Sequence, residues 1–76
     1  MKDLVEYIAR SLVDHPDSVH VEESESASTI TLELTVADSD MGRVIGRGGR
    51  VVNAMRTLVS VAGDRKGKRV NLEVVD

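Results

Sequence analysis

The chain has 76 residues, 41% of them hydrophobic, with no cysteine, no Phe or Trp and a single tyrosine. This length suits one small domain over residues 1–76 with an aliphatic core, and the lack of cysteine excludes disulfide bonds and thiolate metal sites. No apolar run approaches the ~20 residues of a membrane span, and the N-terminus lacks the apolar segment of a signal peptide. We therefore expect a cytoplasmic protein that does not contact a membrane.

Charge is unevenly distributed along the chain, although the net charge is only −3. Residues 1–40 carry ten acidic and two basic side chains, whereas residues 41–76 carry three acidic and eight basic ones. The stretch 41–63 has no acidic residue and contains four arginines: Arg43, Arg47, Arg50 and Arg56. Because local potential decides where a polyanion docks, this distribution permits a nucleic-acid ligand. A solvated helix face would explain the arginines equally well.

The first predicted element is a helix over 3–13, with Asp3 as its N-cap and an end before Pro16. Apolar residues at helical spacing place Leu4, Ile8 and Leu12 on one stripe, with a second set beside it: Val5, Ala9 and Val13.

Two strands are predicted next, over 18–23 and 29–36. In the first, Val19 and Val21 alternate with polar residues. In the second, four aliphatic residues alternate with threonine and glutamate, which is the strongest strand pattern in the chain: Ile30, Leu32, Leu34 and Val36.

A short helix over 41–45 is expected after a cap at 38–40, followed by a glycine-rich interruption and a longer helix to about residue 62 that Gly63 terminates. The core side of the longer helix is predicted to contain Val51, Met55, Leu58 and Ala62. A second apolar edge, available to a partner, is predicted to contain Val52, Val59 and Val61. A last strand is predicted from the alternation of Val70, Leu72 and Val74.

The predicted element order is therefore α-β-β-α-α-β. Three helices suffice to cover one face of a three-stranded sheet. We accordingly expect an α+β fold with a three-stranded sheet and its helices on one face.

The most informative segment is the glycine loop, which consists of Gly46, Arg47, Gly48 and Gly49. Three glycines in four positions permit backbone angles that other residues avoid, and they let a ligand approach the backbone closely. The N–H groups that open the following helix favour anions such as phosphate, and Arg47 and Arg50 add positive charge there.

Other interpretations of the loop fit less well. A P-loop requires Gly-x-x-x-x-Gly-Lys-Ser/Thr, which these glycines do not provide, and a dinucleotide fold requires a strand before the glycines. An ordinary helix–helix turn remains an alternative, although it would need about one glycine and no flanking arginines.

The run Val44-Ile45-Gly46-Arg47-Gly48-Gly49 between two helices resembles the signature of the KH family of RNA-binding domains. The α-β-β-α-α-β order is similar to the type II, or prokaryotic, arrangement of that family, and the resemblance covers the whole chain. It implies a type II KH fold that clamps about four nucleotides of single-stranded RNA. The residues that it assigns to RNA are Arg43, Val44, Ile45, Gly46, Arg47, Gly48, Gly49, Arg50 and Val51, with Val44, Ile45 and Val51 forming the apolar floor under the bases.

The same resemblance, strongest to the small stand-alone bacterial members of the family, implies a non-enzymatic RNA chaperone or post-transcriptional regulator. It also implies a homodimer or a heterodimer with a Jag-type KH protein (KhpB), and links to cell shape. We identify no catalytic residue, cofactor site or metal ligand in the sequence. The alternative function is a protein-interaction adaptor that keeps the KH fold and works through the valine-rich helix edge.

Overall fold

The computed structural model describes residues 1–75. The helices are α1 (Lys2–Leu12), α2 (Met41–Ile45) and α3 (Arg50–Arg65), and the strands are β1 (His20–Glu25), β2 (Thr29–Thr35) and β3 (Arg69–Val75). Short 3₁₀ turns lie at Pro16–Ser18, Asp38–Asp40 and Arg47–Gly49. The predicted element order is confirmed, and within residues 1–75 none of the helices is long and apolar enough to cross a membrane.

The three strands form one mixed sheet in the order β1-β2-β3. β1 pairs antiparallel with β2, and β2 pairs parallel with β3 through the crossover that contains α2 and α3. Alternating residues of β2 point to the helices and are buried, as the sequence pattern predicted: Ile30, Leu32 and Leu34. On the opposite face the register places Glu22, Glu33 and Glu73 in one row across the sheet. The predicted α+β architecture with helices on one face is therefore confirmed.

Helix α1 begins one residue before the predicted start, with Met1 as its N-cap, so Asp3 lies inside the first turn and does not cap the helix. Its fully buried residues are Val5 and Ala9. Leu4 and Leu12 of the predicted stripe are each 38% exposed, so the buried side of the helix is the adjacent one that contains Val5 and Ala9. The helix packs mainly against β1.

Helix α3 packs against β3 through Val52, Met55, Val59 and Gly63, all buried. The core side is therefore rotated from the one predicted, and Leu58 is half exposed. Because Val52 and Val59 lie in the core, the predicted partner-binding edge does not exist as predicted. Only Val61 of that edge is exposed.

Gly63 does not end α3; the helix runs through it to Arg65. A Cβ atom at Gly63 would lie 2.5 Å from Cγ2 of Val70 and 2.7 Å from the carbonyl oxygen of Lys68, so glycine permits the close packing of α3 on β3. The residue that terminates the helix is instead Gly67, which lies two positions after Arg65 and has a φ of +69°. The N–H groups of Gly67 and Lys68 donate to the carbonyls of Asp64 and Gly63, which is the Schellman arrangement.

Candidate nucleic-acid interface

The glycine loop joins α2 to α3 with three residues at positive φ: Gly46 (+77°), Gly48 (+63°) and Gly49 (+81°). At Gly46 the constraint is steric as well, since a Cβ atom there would lie 2.8 Å from the backbone nitrogen of Val51. At Gly48 nothing lies within 4 Å of such a Cβ atom. The loop therefore needs glycine at position 46 for its shape and presents an open backbone surface at position 48.

The loop leads directly into the N-terminus of α3. The N-cap is Gly49, which has no side chain to accept a hydrogen bond from the first N–H groups of the helix. A 16-residue helix concentrates partial positive charge at this end, and its first N–H groups attract anions. Arg47 and Arg50 are exposed at the same place and form no ion pair with any residue in 1–75. This end of α3 is accordingly a site suited to phosphate.

Arg43 is not part of that free positive charge. Its guanidinium lies 3.3 Å from the carboxylate of Asp14 and 4.0 Å from that of Asp40. The structure therefore brings together Arg47 and Arg50 from the predicted set, while Arg43 connects α2 to the end of α1.

Asp40 is fully buried immediately before α2. Its carboxylate does not cap α2; it accepts hydrogen bonds from the backbone N–H groups of Asp14 and His15, both at 3.0 Å. The hydrogen bond from Asp14 is the largest of the effects that hold the pKa of Asp40 below its ordinary value of 3.8, and burial opposes them. Asp40 thus fixes the start of α2, and with it the approach to the glycine loop, against the segment that follows α1.

Replacing Asp40 by Asn is expected to lower the stability at neutral pH, because the amide nitrogen cannot accept one of the two hydrogen bonds. A depressed pKa stabilises the fold above the ordinary value of 3.8 and loses that contribution as the pH falls through the lower folded-state value. The difference in urea midpoint between the parent and Asp40→Asn should therefore be large at pH 7 and shrink as the pH falls below 3.8. A difference independent of pH would contradict this role of the carboxylate.

The three residues predicted to form the apolar floor under the bases differ in exposure. Ile45 and Val51 are partly buried and flank the glycine loop. Val44 is completely buried. Its side chain therefore belongs to the core and supports the floor from below, which corrects the expectation that it lies directly under the bases.

Two polar residues of α3 outside the predicted set of RNA-binding residues follow the loop: Asn53, which the sequence did not single out, and Arg56, which it gave only as one of four arginines in the basic stretch. Asn53 approaches Gly49 closely, because a Cβ atom on that glycine would be 3.4 Å from its side-chain nitrogen. Arg56 donates from Nη1 to the side-chain oxygen of Asn53 at 3.0 Å and from Nε to the carbonyl of Leu72 at 3.1 Å. The i, i+3 spacing of the pair was visible in the sequence, but its partner on β3 was not.

A solved structure shares this arrangement of helices and strands. A crystal structure of Era in complex with MgGDPNP and nucleotides 1506–1542 of 16S ribosomal RNA superposes on 96% of this chain with a TM-score of 0.64. The sequence identity is 20%, and the matched part is 28% of that longer chain. At this identity the likeness concerns the fold alone, and it agrees with the type II KH fold predicted from the sequence.

Sequence comparison identifies relatives of the same length. The chain is 49% identical over 75 residues to the RNA-binding protein KhpA of Clostridium perfringens, covering 99% of this chain and 100% of that protein. It is 46% identical over 76 residues to the RNA-binding protein KhpA of Halalkalibacterium halodurans, covering all of both chains. The model of the family described as KhpA/KhpB, KH domain, matches residues 2–74. The chain therefore belongs to the KhpA/KhpB family of KH domains.

Proposed function

We propose that the chain is a non-enzymatic protein that binds single-stranded RNA with its glycine loop. The observation that carries the proposal is the open, positive-φ backbone of this loop at the N-terminus of α3, beside Arg47 and Arg50, which form no ion pair within residues 1–75. The names of the KhpA relatives support RNA as the ligand.

In the proposed complex, Gly46, Gly48 and Gly49 let the sugar-phosphate backbone lie against the loop, since no side chain keeps it away at Gly48. The N–H groups of α3 and the guanidinium groups of Arg47 and Arg50 contact phosphates. Ile45 and Val51 form the apolar surface next to the bases. Such a site holds about four nucleotides.

The same geometry supports a broad cellular role. Phosphate contacts carry no sequence information, and an aliphatic floor distinguishes bases only weakly. The function that follows is that of an RNA chaperone or post-transcriptional regulator that acts in the cytoplasm on many transcripts.

The electrostatic mechanism predicts how affinity depends on salt. For single strands, log affinity falls with log salt by about 0.7 per neutralised phosphate, so contacts from Arg47 and Arg50 predict a slope near −1.4. Fluorescence anisotropy with labelled oligonucleotides at several salt concentrations measures this slope.

The matched controls are single arginine variants. Arg47→Gln and Arg50→Gln should each reduce the magnitude of the slope by about 0.7, whereas Arg43→Gln should leave it unchanged because Arg43 is paired with Asp14 and Asp40. A slope near zero for the parent would contradict the electrostatic mechanism. A slope that changes only in Arg43→Gln would show that the phosphates bind near Arg43 and not at the glycine loop.

We also propose that the chain self-associates or pairs with a Jag-type KH protein (KhpB) through the solvent side of α3. Ala54, Leu58 and Val61 recur there at i, i+4 and i+7, opposite the buried side of the helix, and Leu58 and Val61 are 50% and 51% exposed. This apolar stripe takes the place of the valine-rich edge that was predicted from the sequence. The alternative function, a protein-interaction adaptor, would use the same surface.

Val61→Glu is expected to convert a dimer to a folded monomer, because it introduces a charge into the apolar stripe at an exposed position. Sedimentation equilibrium measures the mass and circular dichroism the fold. Ser60→Glu adds the same charge at an exposed position beside the stripe and should leave the dimer intact. A parent that stays monomeric at high concentration, alone and mixed with a Jag-type KH protein, would contradict the proposal.

A further inference from the structure

Arg56 is held in one orientation by two hydrogen bonds from different nitrogens. Nε donates to the carbonyl of Leu72 at 3.1 Å, and Nη1 donates to the side chain of Asn53 at 3.0 Å. The three residues come from two elements, α3 and β3, that pack against each other. The plane of the guanidinium is therefore fixed, although the residue is exposed.

The fixed guanidinium lies beside the proposed RNA site. β3 is an edge strand, so the carbonyl of Leu72 that Arg56 engages lies on the open edge of the sheet. Asn53 connects Arg56 to the loop, because its side chain lies next to Gly49. Seven residues of helix separate Gly49 from Arg56, a rise of about 10 Å, which is within the span of a few nucleotides.

Large aromatic side chains on which bases stack are scarce in this chain. Tyr7 is the single aromatic residue, and it lies on α1, which packs against β1 at the opposite edge of the sheet. Guanidinium planes of arginine stack on bases in RNA complexes, and a plane already fixed by hydrogen bonds loses little freedom when it does so.

The hydrogen bonds also argue against a phosphate contact. Arginine binds phosphate best through two parallel N–H groups of one edge of the guanidinium. The Nε–H of Arg56 already donates to Leu72, which removes the edge that includes it, and Nη1 donates to Asn53, which leaves only the Nη1–Nη2 end for a phosphate. Both hydrogen bonds lie in the plane of the guanidinium, so neither occupies its flat faces.

We propose that Arg56 is a base-stacking residue that positions one RNA base beside α3 at the open edge of β3. The proposal rests on RNA binding by the glycine loop and adds a contact to a base, which makes Arg56 a determinant of base preference. In contrast to Arg47 and Arg50, it acts through the face of its guanidinium and through its anchorage to Asn53 and Leu72.

The test is a double-mutant cycle between the protein and the RNA. The probes are labelled hexa-adenylate and a series of six oligonucleotides in which each base in turn is replaced by an abasic site. In the parent, one abasic position should lower the affinity about fivefold, in the range of a single stacking contact. Arg56→Lys, which keeps the charge and loses the plane, should bind hexa-adenylate about fivefold more weakly and should be indifferent to that abasic position.

A merely structural role for Arg56 would weaken binding to intact and abasic RNA by the same factor, and that result would overturn the proposal. So would a parent that shows no sensitive abasic position, a measurement that needs no variant. Arg65→Lys, at an exposed position near the end of α3, is the matched control and should behave as the parent. Failure of the parent to bind hexa-adenylate at all would instead contradict the proposed function itself.

Discussion

Replacing Arg47 and Gly48 together by Asp is expected to abolish binding of single-stranded RNA and to leave the fold intact. Both positions are exposed, and nothing lies within 4 Å of a Cβ atom at Gly48. The change removes one positive charge and adds two negative charges where phosphates are proposed to bind. Two unit charges at 4 Å interact by about 4 kcal/mol at an effective dielectric constant of 20, which exceeds the strength of a single phosphate contact.

The cost to stability should be small, about 1 kcal/mol, because Asp tolerates positive φ better than most residues. A thermal melt by circular dichroism checks the fold, and fluorescence anisotropy checks RNA binding. The matched control replaces the same residues by Gln and Asn, which gives the same backbone strain without negative charge and should only weaken binding. If the aspartate variant binds RNA as the parent does, the glycine loop is not the RNA site.

Gly63→Ala is expected to destabilise the protein, whereas Gly42→Ala, at the other glycine within α2 or α3, is not. The added methyl would lie 2.5 Å from Val70 and 2.7 Å from the backbone of Lys68, so α3 would have to move away from β3. Overpacking of this kind costs about 1–3 kcal/mol, which outweighs the gain of about 1 kcal/mol in helix propensity. The clash with the backbone of Lys68 places the cost at the upper end of that range, so we expect a net loss of about 2 kcal/mol and a fall in Tm of about 8–16 °C.

Gly42→Ala is the matched control, because Gly42 is helical and has nothing within 4 Å of a Cβ atom. It should raise Tm by a few degrees through helix propensity alone. If packing on β3 decides the effect, differential scanning calorimetry should show a lower Tm for Gly63→Ala and a higher Tm for Gly42→Ala than for the parent. Two shifts of the same sign would show that propensity, not close packing, governs position 63.

The strands and the glycine loop were predictable because their signals are local. Alternation at Ile30, Leu32 and Leu34 has a period of two, which only a strand with one buried face satisfies. The loop at residues 46–49 combines three glycines with core residues on both sides, and few structures other than a break between helices accept that pattern.

The buried side of α3 was not predictable because valine occurs around most of the helix. Positions 51, 52, 59 and 61 are all valine, so hydrophobic spacing permits several rotations of the helix. Close packing of Gly63 on Val70 selects one of them and leaves Val61 exposed. Gly63, which was predicted to terminate the helix, therefore lies where α3 packs most closely on β3.

The pairing of charged residues in the site was equally invisible, because the partners are distant in sequence. Arg43 and Asp14 are 29 residues apart, and Arg56 meets the backbone of Leu72 only after β3 has joined the sheet. The four arginines of the basic stretch therefore differ in role. Within residues 1–75, Arg47 and Arg50 form no ion pair, Arg43 is ion-paired, and Arg56 is fixed by hydrogen bonds.

The parallel pairing of β2 with β3 has a consequence for synthesis of the protein. Helix α3 buries its apolar side against a strand that the ribosome makes after it, and the crossover that positions the glycine loop closes only when Arg69–Val75 pairs with β2. A nascent chain that ends before residue 69 therefore exposes Met55 and Val59 and lacks the closed crossover that positions the proposed RNA site. If the glycine loop binds RNA as proposed, these seven strand residues must leave the exit tunnel before that binding can begin.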